Sequence, residues 1–149
     1  MRAIRRSLPV MLTLLLPLVA GCATGSGGAD AAPLKEILNP AGGPVTTPYS
    51  PGVRSGNLLF LSGVIGRGEI GPATRQALEG VQERLTAAGL TMADAVKCTV
   101  FMIDMADYQG MNEVYAQFFT ADPPARSAIA VQALPASARV EIECIAVVR

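Results

Sequence analysis

Apolar residues recur along the chain with the period of an α-helix in two segments. The first segment runs over 73–88 and ends before Gly89, which stands where a C-terminal helix cap belongs. The second follows Asp107, a residue type suited to capping the N-terminus of a helix. The apolar face of this second helix is predicted to consist of Met111, Val114, Tyr115 and Phe118.

Other segments show the alternation or the short apolar runs that are typical of strands. The predicted strands are a hairpin over 53–65 that turns at Ser55-Gly56-Asn57, and single strands over 94–103, 127–134 and 139–148, the last after a turn over 135–138. The order ββαβαββ indicates an α+β fold with helices packed on one face of a sheet. No further layer is left to cover the other face, so we expect an oligomer.

The first 22 residues contain the parts of an export signal. Three arginines precede an almost wholly apolar run over 8–19, and Val19-Ala20-Gly21-Cys22 resembles the lipobox of bacterial lipoproteins. The resemblance implies cleavage before Cys22 and diacylation of its thiol. A retained transmembrane helix is the alternative, but the apolar run is shorter than the roughly 20 residues that a spanning helix needs.

The next residues, 23–33, carry almost no large apolar side chain and are expected to form a flexible tether. The predicted organisation is therefore a signal peptide over 1–21, a lipidated cysteine and tether over 22–33, and one domain over 34–149. In a Gram-negative bacterium, Ala23 rather than Asp after the cysteine would favour the periplasmic face of the outer membrane over the inner membrane.

Charge and composition exclude several classes of chemistry. Removal of 1–21 lowers Lys+Arg from 12 to 9 against 12 Asp+Glu, a net charge of about −3, which argues against nucleic acid as a partner. The chain has no histidine, which excludes Ser-His-Asp and Cys-His catalysis and histidine-ligated metals. Cys98 and Cys144 lack CxxC spacing, so we expect no metal site.

Cys98 and Cys144 both lie in apolar, strand-like runs. Buried free thiols are the favoured interpretation, because free cysteine packs as a small apolar side chain. A disulfide is the alternative if the two strands are neighbours, since an exported domain matures in an oxidising compartment.

Two charged residues stand in unusual surroundings. Arg126 follows Pro123-Pro124-Ala125 and enters a strand of small residues. Alternation in the last strand places Glu141, Glu143 and Ile145 on one face. By spacing alone, a solvated edge-strand face is the favoured interpretation of these glutamates; a face covered by another subunit would require charged partners for them.

Several motifs, in order from about Asn39 to Arg149, resemble the Rid (reactive intermediate deaminase) family. They are Thr47-Pro48-Tyr49-Ser50-Pro51-Gly52-Val53, Gly56-Asn57-Leu58-Leu59-Phe60-Leu61-Ser62-Gly63, Val96-Lys97-Cys98-Thr99-Val100-Phe101, Asn112-Glu113-Val114-Tyr115 with Phe118-Phe119, Pro124-Ala125-Arg126-Ser127 and Val140-Glu141-Ile142-Glu143. The resemblance implies a chorismate-mutase-like fold with a mixed sheet, assembled as a homotrimer with three clefts between subunits.

It also implies an activity, the hydrolysis of small 2-imino acids to 2-oxo acids and ammonia without a cofactor. The family arginine falls on Arg126, which would bind the substrate carboxylate, and the family glutamate that positions water falls on Glu141. The remaining pocket positions match Tyr49 as a ring contact, Ser62 as a hydroxyl, Gly63 as a backbone donor and Asn112 as an amide. Tyr49 and Asn112 are equally open to a structural role.

Three departures from the family pattern bear on the substrate. Ala128 replaces a common cysteine, Val64 replaces a glutamine, and the loop over 65–72 is short. A non-catalytic binder of small carboxylates, or a surface-tethered interaction module using the same cleft, is the alternative to the enzyme. Export favours this alternative, because the main sources of imino acids are cytoplasmic pyridoxal-phosphate enzymes.

Overall fold

The structure is a computed structural model that describes residues 34–149. The predicted signal peptide, the lipidation site at Cys22 and the tether over 22–33 lie outside the described residues. Within 34–149, no helix combines the length and the apolarity needed to cross a membrane.

Seven strands and two helices make up the domain, in the order ββββαβαββ. They are β1 (Glu36–Leu38), β2 (Gly52–Ser55), β3 (Leu58–Leu61), β4 (Val64–Gly66), α1 (Ile70–Ala87), β5 (Ala95–Met102), α2 (Tyr108–Phe118), β6 (Ala125–Ala130) and β7 (Val140–Val147). The predicted helices and strands are therefore present, and two short strands, β1 and β4, were missed. Three-residue strands give too little alternation to be recognised in a sequence.

One mixed sheet joins all seven strands, as the α+β prediction requires. Its order is β1-β2-β3-β7-β5-β6, with β4 also paired to β7. The β5–β6 pair is parallel, and the other pairs are antiparallel. The central strand β7 therefore pairs with β3 and β4 along one edge and with β5 along the other.

Both helices cover the same face of this sheet. Alternate residues of β5 and β7 point into the core with the apolar stripe of α1, which includes Leu78, Val81 and Leu85. Gly89 ends α1 as predicted: it adopts φ +73°, and its N–H donates to the carbonyl of Thr86. The opposite sheet face remains open in the single chain.

Large apolar side chains lie on that open face. Phe60 is 43% exposed and Ile129 is 45% exposed. Glu143 is also exposed there, whereas Ile145 and Phe101 are partly covered by their neighbours. An apolar sheet face of this kind is typical of a surface that contacts another chain.

The third predicted strand and the predicted cap at Asp107 need correction. Strand β6 spans Ala125–Ala130 instead of 127–134, because its pairing with β5 ends where Ala130 meets Met102. Asp107 does precede α2, but its side chain caps no backbone N–H. It is only 8% exposed and forms a bidentate ion pair with Arg139, one bond of which is 2.8 Å long. A buried carboxylate gains more from a charged partner than from a cap.

The favoured interpretation of the two cysteines was wrong. Cys98 of β5 and Cys144 of β7 are directly opposite in the register, with their Cα atoms 4.1 Å apart, and their sulfur atoms are bonded. Both side chains are almost completely buried in the core. Sequence periodicity placed each cysteine in a strand but could not show that the two strands pair.

Candidate active site

The residues assigned to the pocket by sequence lie in two groups. Tyr49, Ser62, Gly63 and Glu141 line one cavity of about 420 Å³, which we call the Glu141 pocket. Asn112 and Arg126 line a second cavity of about 380 Å³, the Arg126 pocket. The structure therefore places the six predicted residues in two separate cavities of one chain.

The Glu141 pocket forms where the sheet edge is interrupted between β3 and β4. Ser62 and Gly63 separate these strands, and both strands pair with β7. The carboxylate of Glu141 lies against Gly63 so closely that an added Cβ on the glycine would overlap it. Glycine at this position therefore lets the carboxylate approach the backbone.

Ser62 is held at three atoms. Its hydroxyl donates to the carbonyl oxygen of Ser50 at 2.6 Å, and its N–H donates to the carbonyl oxygen of Pro51 at 3.1 Å. Its own carbonyl oxygen accepts a hydrogen bond from Arg84. The hydroxyl proton is thus engaged, and the hydroxyl oxygen can offer a ligand its lone pairs. Tyr49 stands beside it at the mouth, 56% exposed, where its ring can close over a ligand.

Arg126 projects from β6 against α2 in the Arg126 pocket. Its Nη2 donates to Oδ1 of Asn112 at 2.6 Å and to the Tyr108 hydroxyl at 3.4 Å. Its guanidinium carbon lies 4.5 Å from the centre of the Tyr115 ring. Asn112 therefore orients the guanidinium. Arg126 forms no ion pair with any carboxylate among residues 34–149.

Tyr115 forms the floor of the Arg126 pocket. Its hydroxyl is buried and has no hydrogen-bond partner within the described part of the chain. Burial raises the pKa of Tyr115 to about 12, although the charge of Arg126 acts in the opposite direction. The phenol therefore stays neutral at physiological pH and presents a ring face to the cation.

Sheet geometry separates the Arg126 pocket from the Glu141 pocket within one chain. Arg126 is in register with Cys98, whose side chain points into the core beneath the helices. Glu141 is in register with Phe101, three residues further along β5, and side chains alternate between faces. Arg126 and Glu141 therefore leave the sheet on opposite faces.

Sequence reasoning did not assign four lining residues of the Glu141 pocket to any site: Val64, Ile65, Arg84 and Pro135. The charged one, Arg84, lies on α1. It stood outside every motif, and helical spacing marked it as no more than a polar position next to Leu85. The hydrogen bond to the Ser62 carbonyl depends on a contact between α1 and the β3–β4 junction, which no local pattern reveals.

Comparison with known proteins agrees with this architecture. A family model described as Endoribonuclease L-PSP matches residues 42–148. A protein of Arabidopsis thaliana named Reactive Intermediate Deaminase A, chloroplastic, is 39% identical over 122 residues, covering 75% of this chain and 65% of the relative. The chain belongs to the Rid family.

Other Rid proteins resemble it over most of their length. The human protein named 2-iminobutanoate/2-iminopropanoate deaminase is 35% identical over 124 residues, which cover 76% of this chain and 90% of the human protein. The crystal structure of the YjgF gene product of E. coli superposes with a TM-score of 0.70 at 36% identity and covers 76% of this chain and 99% of the other. The predicted Rid fold is thereby confirmed.

Proposed function

We propose that this Rid protein hydrolyses small 2-imino acids to 2-oxo acids and ammonia. The observation that carries the proposal is the state of Arg126, a partly buried guanidinium that Asn112 orients and that no carboxylate of residues 34–149 neutralises. Such a cation favours an anionic ligand, and its planar fork matches a carboxylate. The name of the human relative gives the same class of substrate.

Glu141 supplies the second part of the chemistry. A protonated 2-imino acid is already electrophilic at the imine carbon, so the protein has to hold it and direct a water molecule. The Glu141 carboxylate accepts a proton from that water as the C–O bond forms. Glu141 then passes this proton to the nitrogen of the carbinolamine. The C–N bond breaks as the carbinolamine hydroxyl gives its proton to Glu141 and forms the C=O bond of the 2-oxo acid, and that proton leaves with ammonia as ammonium.

The complete site would form between protomers of a homotrimer. Arg126 and Glu141 occupy opposite faces of one sheet, while the open sheet face exposes Phe60 and Ile129. Three chains arranged in a ring would cover these apolar side chains and bring the Arg126 pocket of one chain to the Glu141 pocket of its neighbour. Each trimer would then contain three equivalent clefts.

The direct test is to generate imines from a small apolar amino acid with an amino-acid oxidase and to trap the imine that has not been hydrolysed with semicarbazide. The wild type is expected to shorten the imine lifetime. Arg126→Met should lower kcat/KM about a hundredfold, mainly through KM, because it removes the charged partner of the substrate carboxylate. Arg75→Met is the matched control, since Arg75 bonds Gln117 on the outer side of the helices.

The outcomes separate this function from its alternatives. Absence of acceleration by the wild type would overturn the enzyme. If 2-oxo acids raise the Tm of the wild type but not of Arg126→Met, and no imine is hydrolysed, the protein is instead a non-catalytic binder of small carboxylates. An RNA substrate belongs in the same experiment, because the family description names an endoribonuclease; we expect no cleavage from a chain of net charge about −3 after removal of 1–21.

We further propose that the domain works outside the cytoplasm, anchored through lipid on Cys22 at the periplasmic face of the outer membrane. The Cys98–Cys144 disulfide supports an oxidising compartment, since such bonds seldom persist in the cytosol. The flexible stretch predicted over 23–33 would separate the domain from the bilayer.

Fatty-acid labelling tests the anchor. In a Gram-negative host grown with an alkyne-tagged fatty acid, the wild type should carry the label and fractionate with membranes. Cys22→Ser should lose both properties, whereas Cys98→Ala should keep the label because Cys98 lies in the protein core. Label retained by Cys22→Ser, or an unlabelled wild type, would refute the anchor.

A further inference from the structure

Arg84 places a positive charge in the Glu141 pocket, in addition to that of Arg126 in the other pocket. It lies on α1, and its side chain is partly buried in the Glu141 pocket. Its Nη1 donates to the Ser62 carbonyl oxygen. The hydrogen bonds found within residues 34–149 use no other nitrogen of this guanidinium, so its remaining N–H groups can serve a ligand in the cavity.

Within residues 34–149 the charge of Arg84 has no ion-pair partner. No carboxylate of the described residues lies within ion-pair distance, although Glu141 lines the same cavity. Burial lowers the pKa of the Arg84 guanidinium, and the nearby Tyr49 and Glu83 raise it in part. The group remains charged at physiological pH, because the pKa of arginine is very high in the unperturbed state. An anion entering the pocket would relieve this uncompensated positive charge.

Packing fixes the position of Arg84. One helical turn earlier, Gly80 has no side chain, and a Cβ there would come within 2.6 Å of Cγ1 of Val64. Val64 therefore fits into a notch of α1, which brings the β3–β4 junction against the helix. Residues four apart share one helix face, so Arg84 meets Ser62 beside this notch. The arrangement is a built part of the pocket wall, unlike a lysine or arginine that extends freely into solvent.

The proposed reaction uses one cation and one carboxylate. Arg126 binds the carboxylate next to the imine carbon, and Glu141 handles the proton, which leaves Arg84 without a role towards a monocarboxylic substrate. We propose that Arg84 is a specificity-determining residue that binds a second carboxylate, so that the preferred substrates are dicarboxylic 2-imino acids, the imine forms of acidic amino acids. This inference rests on the proposed function, and it names the substrate class for that same site.

The test measures a selectivity ratio. Imines are generated enzymatically from aspartate or glutamate and, separately, from 2-aminobutanoate, and kcat/KM is determined for each with the full-length protein. The wild type should prefer the dicarboxylic imines. Arg84→Met should lower the ratio of dicarboxylic to monocarboxylic kcat/KM about thirtyfold, the effect of losing a hydrogen-bonded charged partner. Arg84→Lys should restore part of the ratio.

Arg75→Met is the matched control, because Arg75 lies on the same helix and donates to Gln117 away from this pocket; its ratio should equal that of the wild type. If Arg84→Met lowers kcat/KM equally for both substrate classes, the residue only supports Ser62 and the inference is refuted. A ratio that Arg84→Met leaves unchanged refutes it as well.

Calorimetry separates failure of the inference from failure of the proposed function. The wild type should bind 2-oxoglutarate more tightly than 2-oxobutanoate, and Arg84→Met should remove most of that difference. If the wild type hydrolyses no imine yet shows this Arg84-dependent preference, the proposed reaction fails and the inferred carboxylate site stands. If the ratio of the two dissociation constants is the same for wild type and Arg84→Met, the inferred carboxylate site is refuted, whatever the activity.

Discussion

Glu141→Gln is expected to lower kcat for imine hydrolysis about a thousandfold, the middle of the range for loss of a positioned general base. KM should change little, because Arg126 still binds the substrate carboxylate. The amide keeps the shape of the side chain beside Gly63 and removes its ability to accept a proton from water. Steady-state kinetics over a range of imine concentrations separates kcat from KM.

Two further variants sharpen this result. Glu79→Gln makes the same change at an exposed carboxylate of α1, away from the open sheet face, and should keep kcat within about twofold. Gly63→Ala leaves Glu141 chemically intact but fills the space of its carboxylate, so it should also reduce kcat strongly. Equal activity of Glu141→Gln and wild type would remove Glu141 from the mechanism.

Mixing two impaired variants tests the site between chains. Arg126→Met retains Glu141, and Glu141→Gln retains Arg126. If each site takes these two residues from neighbouring chains in a ring of three, random co-assembly at equal ratio should restore about a quarter of all sites, which is about a third of the sites in trimers that contain both variants. Co-expression of differently tagged chains and tandem purification give the hybrids. Hybrids without recovered activity would place the complete site within one chain and contradict the separation of the two pockets.

Removal of the disulfide is expected to have the largest effect on stability. Cys98 and Cys144 close a chain segment with a sequence separation of 46 residues, for which the loop-entropy relation gives about 4 kcal/mol. The double variant Cys98→Ala/Cys144→Ala should therefore unfold at a Tm about 15 °C lower, given the size of the domain. Guanidinium titration and thermal unfolding of the oxidised wild type and the variant measure the difference.

Alkylation provides the control for the bond itself. Oxidised protein unfolded in guanidinium should take up no alkylating reagent at Cys98 or Cys144, and prior reduction should label both. Wild type that is unfolded, reduced with dithiothreitol and refolded in its presence should show most of the decrease in Tm seen in the double variant. The reason is that the same covalent restraint on the unfolded chain is removed. Two labelled cysteines in unreduced protein would contradict the structure at this point.

The same bond links the strands on which the proposed site depends. Strand β7 carries Glu141, and β5 pairs with β6, which carries Arg126. A fixed register between β5 and β7 therefore fixes the positions of the Arg126 pocket and the Glu141 pocket relative to each other. We expect the reduced protein to lose activity along with stability in partly denaturing conditions.

The sequence by itself determined much of the secondary structure, because hydrophobic periodicity is a local property. It marked both helices and the longer strands β5 and β7, and Gly89 indicated the end of α1. Ordered motifs over most of the domain also identified the family and six pocket residues. A match of residue types in order needs no knowledge of which residues touch.

Only the tertiary structure decided what depends on pairing between distant segments. The register of β5 with β7 turned Cys98 and Cys144 into a disulfide, although their surroundings favoured free thiols. The partner of Asp107 is Arg139, 32 residues away, instead of a local backbone N–H. The separation of the predicted residues into two cavities follows from sheet faces, and Arg84 joins the Glu141 pocket through packing of α1 on the β3–β4 junction. Local patterns constrain each segment alone, whereas these contacts arise from the sheet that the segments form together.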